Sequence, residues 1–251
     1  MSFPLVRYVL MAALRDKLIL SMFVVLVLSS SLSLFLASSV ITEKDQFTLV
    51  FTASSLRLVS VLGLVVFVTF FVRRSFDGKD IEFLLSRPIS RLNIVFSYVF
   101  SFSIMAVCVS LALTLALYAV APHLFGMGHV FWLLSIIVEN IAMVTVAFFF
   151  AMQISSAATS VMATLGVYVL GRLMGQLLGI IDSALVDSSG IYAVTLQVVS
   201  VITPRLDLLG QSSWLLYGYE GNYFVFALFQ VMFFIFLVIS AAYLDFSRRQ
   251  F

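Results

Sequence analysis

The chain has 251 residues, of which 63% are hydrophobic and 10% are charged. No water-soluble core of this length could bury that much apolar surface, so the composition predicts an all-α integral membrane protein. The formal net charge of +2 is too small to indicate a nucleic-acid partner, and the single cysteine excludes an intramolecular disulfide. Because roughly 20 apolar residues cross a bilayer, the length predicts six transmembrane helices in a single domain, residues 1–251.

The chain begins with an amphipathic stretch, residues 1–17. Charged residues close this stretch, and apolar residues recur through it at helical spacing: Phe3, Val6, Leu10, Ala13 and Leu14. This pattern is typical of a helix that lies in the membrane interface. Because the charges interrupt the apolar run and no small-residue cleavage site follows, we expect a retained segment and not a cleaved signal peptide.

Apolar stretches of spanning length then follow in chain order, at residues 18–40, 49–72, 92–121, 130–153, 157–181 and 223–244. Residues 182–222 mix polar and apolar residues and are predicted to be extracytoplasmic. Within them, residues 191–202 are apolar enough for a helix that dips into the outer leaflet and ends before Pro204. We expect no seventh span there, because an odd number of spans would conflict with the distribution of basic residues.

Ten of the fourteen Lys and Arg residues fall on one side of the predicted spans: Arg7, Arg15, Lys17, Arg73, Arg74, Lys79, Arg87, Arg91, Arg248 and Arg249. Lys44 and Arg205 fall on the other side. Since cytoplasmic flanks retain positive charge, both termini and the connection of residues 73–91 are predicted to be cytoplasmic. An even number of spans satisfies this arrangement.

The 73–91 connection predicts a short amphipathic helix on the cytoplasmic surface. Asp77 can cap it, and Pro88 stops it after two or three turns. Ile81, Leu84 and Leu85 share one face of this helix. Two interpretations stay open: the helix merely covers the end of the bundle, or it docks a cytoplasmic partner.

Residues Gly78 to Arg91 read Gly-x-x-Ile-Glu-x-Leu-Leu-Ser-x-Pro-Ile-Ser-Arg. This run resembles the cytoplasmic segment between the second and third spans of type-2 ABC transporter permeases, the membrane subunits of bacterial ATP-driven exporters. The chain departs from the family pattern at Arg74, Ser75 and Lys79, where a Glu before the Gly and a Thr after it are usual. Ser97 lies near the place where the family often has a Lys.

The resemblance implies that the 73–91 connection is a coupling segment whose helix, Asp77 to Pro88, sits in a cleft of a separate ATPase subunit. The residues it assigns to that contact are Asp77, Gly78, Asp80, Ile81, Glu82, Leu84, Leu85, Ser86, Arg87 and Pro88. It also implies a second permease subunit, identical or homologous, in a bacterial inner membrane. ATP and Mg would belong to the partner, because this chain has no phosphate-binding loop of its own and is not expected to be an enzyme or to hold a cofactor.

Three charged residues fall inside predicted spans: Arg57, Glu139 and Arg172. Each lies roughly 14 Å from the outer end of its span at a rise of 1.5 Å per residue. An unpaired charge at that depth costs about 2.5 to 3.5 kcal/mol, so we expect Glu139 to pair with Arg172 or Arg57. Such a pair is either a static clamp between helices or a gate that contacts substrate.

Span 5 carries Gly171, Gly175 and Gly179 on one helix face, which lets another backbone approach closely. A neighbouring span or a second subunit could fill that groove, and the resemblance favours the second subunit. His123 and His129 could ligate a metal or haem, but they lack Cys, Asp or Glu companions, so no metal site is expected.

The spans carry few fixed charges, which suits a hydrophobic or amphiphilic substrate. Two other functions stay open beside the ATP-driven exporter. The chain could be an ion-coupled secondary transporter that uses Glu139 and Arg172, although it lacks the pairs of interrupted helices expected of many such carriers. It could also be a non-transporting scaffold or assembly subunit.

Overall fold

The computed structural model describes most of the chain, namely residues 3–15, 24–25, 27–32, 35, 44–78, 90–120, 122, 125–182, 191–218 and 223–248. These residues form helices and short connections. The helices are α1 (Phe3–Arg15), α2 (Lys44–Asp77), α3 (Arg91–Val120), α4 (Met127–Gln153), α5 (Ala157–Asp182), α6 (Ile191–Ile202), α7 (Leu206–Leu209), α8 (Trp214–Tyr217) and α9 (Tyr223–Arg248).

Five of these helices are long and apolar enough to cross a membrane: α2, α3, α4, α5 and α9. They coincide with the second to sixth predicted spans, with a few residues added at either end, and they confirm the class of a multi-pass, all-α membrane protein. Of the first predicted span, residues 18–40, only residues 24–25, 27–32 and 35 are described. Within it, residues 27–32 are helical.

Helix α4 is the centre of the bundle, because it contacts α2, α3, α5 and α9. Helix α1 packs against α3 and buries Leu5, Val6, Val9 and Ala13. Of the apolar residues predicted to recur at helical spacing, Val6 and Ala13 face the protein, whereas Phe3 and Leu14 are exposed. The sequence pattern alone did not show that α1 packs against α3. The helix face that makes this contact does not include Phe3 and Leu14.

The two ends of the bundle differ in charge. The last turn of α2, the start of α3 and the end of α9 meet at one end, where Arg91 Nη1 donates to the carbonyls of Phe246 at 3.0 Å and Ser247 at 2.8 Å. We call this the basic end, since it carries Arg73, Arg74, Arg91 and Arg248. The opposite, distal end holds the first residues of α2, α4 and α9.

The described residues between α5 and α9 are helical but interrupted. We call residues 191–218, which contain α6, α7 and α8, the broken segment; its axis bends by 61° between residues 202 and 206. Trp214 packs over Phe224 near the start of α9, and Phe224 also contacts Phe131 near the start of α4. The broken segment thus follows the distal end of α5 and returns to the distal end, so it does not cross the bundle.

Candidate functional site

The centre of the distal half is a buried ion pair. Arg57 Nη1 on α2 lies 2.6 Å from Glu139 Oε2 on α4, and neither side chain is exposed. The same guanidinium donates to the Leu209 carbonyl at 3.0 Å and to Ser135 Oγ at 2.7 Å. Its carbon Cζ also lies 5.4 Å from the centre of the Trp132 ring. Short, charge-assisted hydrogen bonds of this kind offset the cost of burying both charges.

Arg172 on α5 joins the same carboxylate much more loosely. Its Nε is 3.9 Å from Glu139 Oε1, and its Nη1 donates to the Leu206 carbonyl over 3.5 Å. Its Cζ lies 5.9 Å from the Tyr168 ring centre, and 28% of its side chain is exposed. Glu139 therefore pairs as predicted, with Arg57 as the close partner. We call Arg57, Glu139 and Arg172 the charge cluster.

The charge cluster also holds the broken segment. A break in a helix frees backbone carbonyls, and these need donors where no water is available. Arg57 and Arg172 supply donors to Leu209 and Leu206 of α7. Gln230 of α9 supplies the end of α6: its Nε2 donates to the carbonyls of Ser200 at 2.7 Å, Thr203 at 3.2 Å and Val201 at 3.4 Å.

Small residues let this segment approach the helices that hold it. A Cβ on Gly171 would lie 2.8 Å from the Pro204 carbonyl oxygen, and one on Gly175 would lie 2.5 Å from Asp207 Oδ2. A Cβ on Gly210 would overlap the Arg172 guanidinium. The groove at Gly171 and Gly175 is therefore filled by the broken segment of the same chain. Among the described residues, nothing comes within 4 Å of a Cβ placed on Gly179.

A second buried polar layer lies next to the charge cluster and was not predicted. Asn140 Nδ2 donates to Ser110 Oγ on α3 at 2.9 Å, and Ser60 Oγ on α2 donates to Asn140 Oδ1 at 3.4 Å. Asn140 thereby joins α2, α3 and α4. An Asn directly after a Glu in an apolar span was the available signal for this layer.

The predicted coupling residues are described only at their start. Asp77 is the last residue of α2, and its Oδ1 accepts a hydrogen bond from Arg73 Nη2 at 2.8 Å. The Gly78 N–H donates to the Arg74 carbonyl at 2.9 Å and closes the helix. The other predicted contact residues lie outside the described residues: Asp80, Ile81, Glu82, Leu84, Leu85, Ser86, Arg87 and Pro88.

Of the two histidines considered as metal or haem ligands, only His129 lies among the described residues. His129 Nδ1 accepts a hydrogen bond from the Gly126 N–H at 3.2 Å, in the first turn of α4. His123 lies outside the described residues. Within the described part of the chain, no three His, Cys, Asp or Glu side chains are grouped so that they could hold a metal ion.

Comparison with known proteins does not assign a family. No protein-family profile matches this sequence, and no curated protein matches it either. The geometry of the chain itself defines a multi-pass helical membrane protein in which a charge cluster links three spanning helices to a broken segment.

Proposed function

We propose that this chain is the membrane-spanning permease subunit of an ATP-driven exporter of the type-2 ABC class. It would work as a dimer in the bacterial inner membrane, with both termini cytoplasmic and a separate ATPase subunit docked on residues 73–91. ATP-driven closure of two ATPase subunits would push these segments and open a path between the two permease subunits. The observation that carries the proposal is the sequence Gly78 to Arg91.

The position of that sequence in the fold supports the proposal. It connects the end of α2 to the start of α3 at the basic end, where Arg73, Arg74 and Arg248 also lie. An excess of Arg beside spanning helices is typical of a cytoplasmic flank. A cytoplasmic ATPase would meet the segment on that side of the membrane.

The properties of α5 support a second permease subunit. Helices α5 and α9 are the two least buried of the spanning helices; α9 is the most apolar of the five and α5 the least. The exposed face of α5 includes Gly166 and Gly179, small residues that suit contact with protein better than contact with lipid. The exposed face of α9 carries Phe226, Phe229 and other large apolar side chains, which suit lipid.

The test is co-purification with an ATPase encoded beside this chain. We expect a stoichiometric complex that the substitutions Leu84→Asp and Leu85→Asp disrupt, since both place a charge on the predicted docking face. Lys79→Gln, off that face and outside the predicted contact residues, is the matched control and should leave the complex intact. A chain that purifies without an ATPase and transports on an ion gradient alone would overturn the proposal.

The competing function is ion-coupled transport, and Glu139 is the observation that favours it. A buried carboxylate in a spanning helix commonly marks an ion or proton path, and no described residue hydrogen-bonds Glu139 Oε1. Glu139→Gln discriminates between roles of the charge cluster. If the variant assembles but does not transport, the cluster is a gate; if it does not assemble, the cluster is a clamp.

A further inference from the structure

Arg172 has few partners for a guanidinium inside a spanning helix. Its hydrogen bond to the Leu206 carbonyl is 3.5 Å long, and its contact with Glu139 is 3.9 Å. Glu139 already gives its other oxygen to Arg57 at 2.6 Å. A guanidinium has five N–H donors, so the described residues leave most of those on Arg172 without an acceptor.

The charges of the cluster do not balance. Arg57 and Arg172 bring two positive charges against the single negative charge of Glu139, which leaves a net charge of +1 in the membrane region. Asp207, the acid described in the broken segment, does not supply the difference, because Arg205 Nη2 already donates to its Oδ2 at 2.9 Å. An uncompensated charge at this depth is costly, so an additional anion would stabilise the site.

The Arg172 side chain is 28% exposed and so borders the exposed face of α5. Gln176 lies one turn further along the same face, is exposed, and has no hydrogen bond to any described residue. Val169 and Leu173, which lie one turn apart on that face, are also exposed, at 49% and 41%. This face therefore offers a cation, an amide donor and an apolar strip side by side.

We propose that Arg172 and Gln176 bind the anionic head of an amphiphile whose apolar tail lies along Val169 and Leu173. The guanidinium would donate to a phosphate or carboxylate oxygen, and the Gln176 amide would donate to a second oxygen of the same group. Arg57 takes no part in this contact, because it is fully buried. The assignment of this amphiphile as exported cargo rests on the proposed function; the binding itself does not.

The experiment measures lipid binding to the purified full-length chain by native mass spectrometry. The probes are phosphatidylglycerol, which is anionic, and phosphatidylcholine, which is zwitterionic. We expect one phosphatidylglycerol per chain to bind in preference to phosphatidylcholine. Arg172→Gln should weaken phosphatidylglycerol binding about tenfold, the loss of one charge-assisted contact, and Gln176→Leu should weaken it by less.

The matched controls separate this site from general charge effects and from misfolding. The double variant Arg205→Gln with Asp207→Asn removes a paired cation together with its acid, so the net charge of the site is unchanged and lipid binding should be unchanged as well. Arg172→Lys keeps the charge and should retain most of the preference for phosphatidylglycerol over phosphatidylcholine. Gln176→Leu does not alter the charge cluster, so a loss of binding in this variant cannot be attributed to disruption of the cluster. Inorganic phosphate at the same concentration should not displace the lipid.

Two results would overturn the proposal: equal binding of phosphatidylglycerol to the wild type and Arg172→Gln, or its displacement by inorganic phosphate, which would make the site one for a free anion. Neither result bears on the ATPase, since lipid binding is measured without it. Conversely, loss of the ATPase complex would overturn the proposed function and leave the lipid preference in place.

Discussion

Arg57 and Arg172 share one carboxylate, yet their surroundings differ. Arg57 is fully buried, lies 2.6 Å from Glu139 and donates to a carbonyl and a hydroxyl as well. Arg172 is partly exposed, lies 3.9 Å from Glu139 and has one long hydrogen bond. The comparison teaches that a charge within a span does not by itself define its surroundings: short contacts and burial fix one arginine in the bundle, whereas the other is held by long contacts and stays partly exposed.

The largest expected effect comes from removing the shared partner. Glu139→Leu leaves the buried Arg57 without its counter-ion, so we expect the free energy of unfolding to fall by about 3 to 5 kcal/mol. Thermal unfolding of the purified protein measures this loss. The double variant Arg57→Leu with Glu139→Leu should recover much of it, because no buried charge then lacks a partner. A double variant as unstable as the single one would contradict this account.

The next effect concerns how unequally the two arginines couple to Glu139. A double-mutant cycle with Arg57→Leu should give a coupling energy of about 1.5 to 3 kcal/mol, because the pair is short and buried. The same cycle with Arg172→Leu should give less than about 1 kcal/mol, as for exposed pairs. Equal coupling energies in the two cycles would abolish the distinction between the arginines.

A smaller effect is expected at Gln230, which hydrogen-bonds the end of α6 in the broken segment. Gln230→Leu removes the donor for the carbonyls of Ser200, Val201 and Thr203, so stability should fall by about 1 to 3 kcal/mol. Gln197→Leu, at an exposed position of α6, is the matched control and should change stability by less than about 0.5 kcal/mol. Similar losses in the two variants would show that the Gln230 contacts do not matter.

The smallest expected effect on stability distinguishes Gly171, which packs against the broken segment, from Gly179, where an added Cβ would contact no described residue. Gly171→Ala should destabilise the protein by about 1 kcal/mol, because the added Cβ would lie 2.8 Å from the Pro204 carbonyl oxygen. Gly179→Ala meets no described atom within 4 Å and should leave the stability of the single chain unchanged or slightly raised. Chemical denaturation compares the two variants, and the reverse order would show that the broken segment does not pack on Gly171.

Much of the fold could be predicted from the sequence, because apolar runs of fixed length and the Pro204 break determine helices locally. The pairing of Glu139 was also predictable, since three charges at equal depth must find partners. Which arginine takes the close position was not, because depth gives no information on the direction in which each helix faces. The hydrogen bonds from the arginines to the carbonyls of Leu206 and Leu209 could not be predicted either, because every residue has a backbone carbonyl and the sequence does not show which of them accepts a side-chain donor. Gln230, a polar residue in an apolar span, was a signal that sequence reasoning did not use.

The separation of Arg57 and Glu139 along the chain has a consequence for biosynthesis. The two residues are 82 positions apart, so α2 enters the membrane well before α4 has been made. At about 5 to 20 residues per second, the arginine waits roughly 4 to 16 s for its carboxylate. During that interval α2 must either remain within the insertion machinery or hold its guanidinium near the headgroups. Completion of α4 is then the event that allows α2 to settle at its final depth.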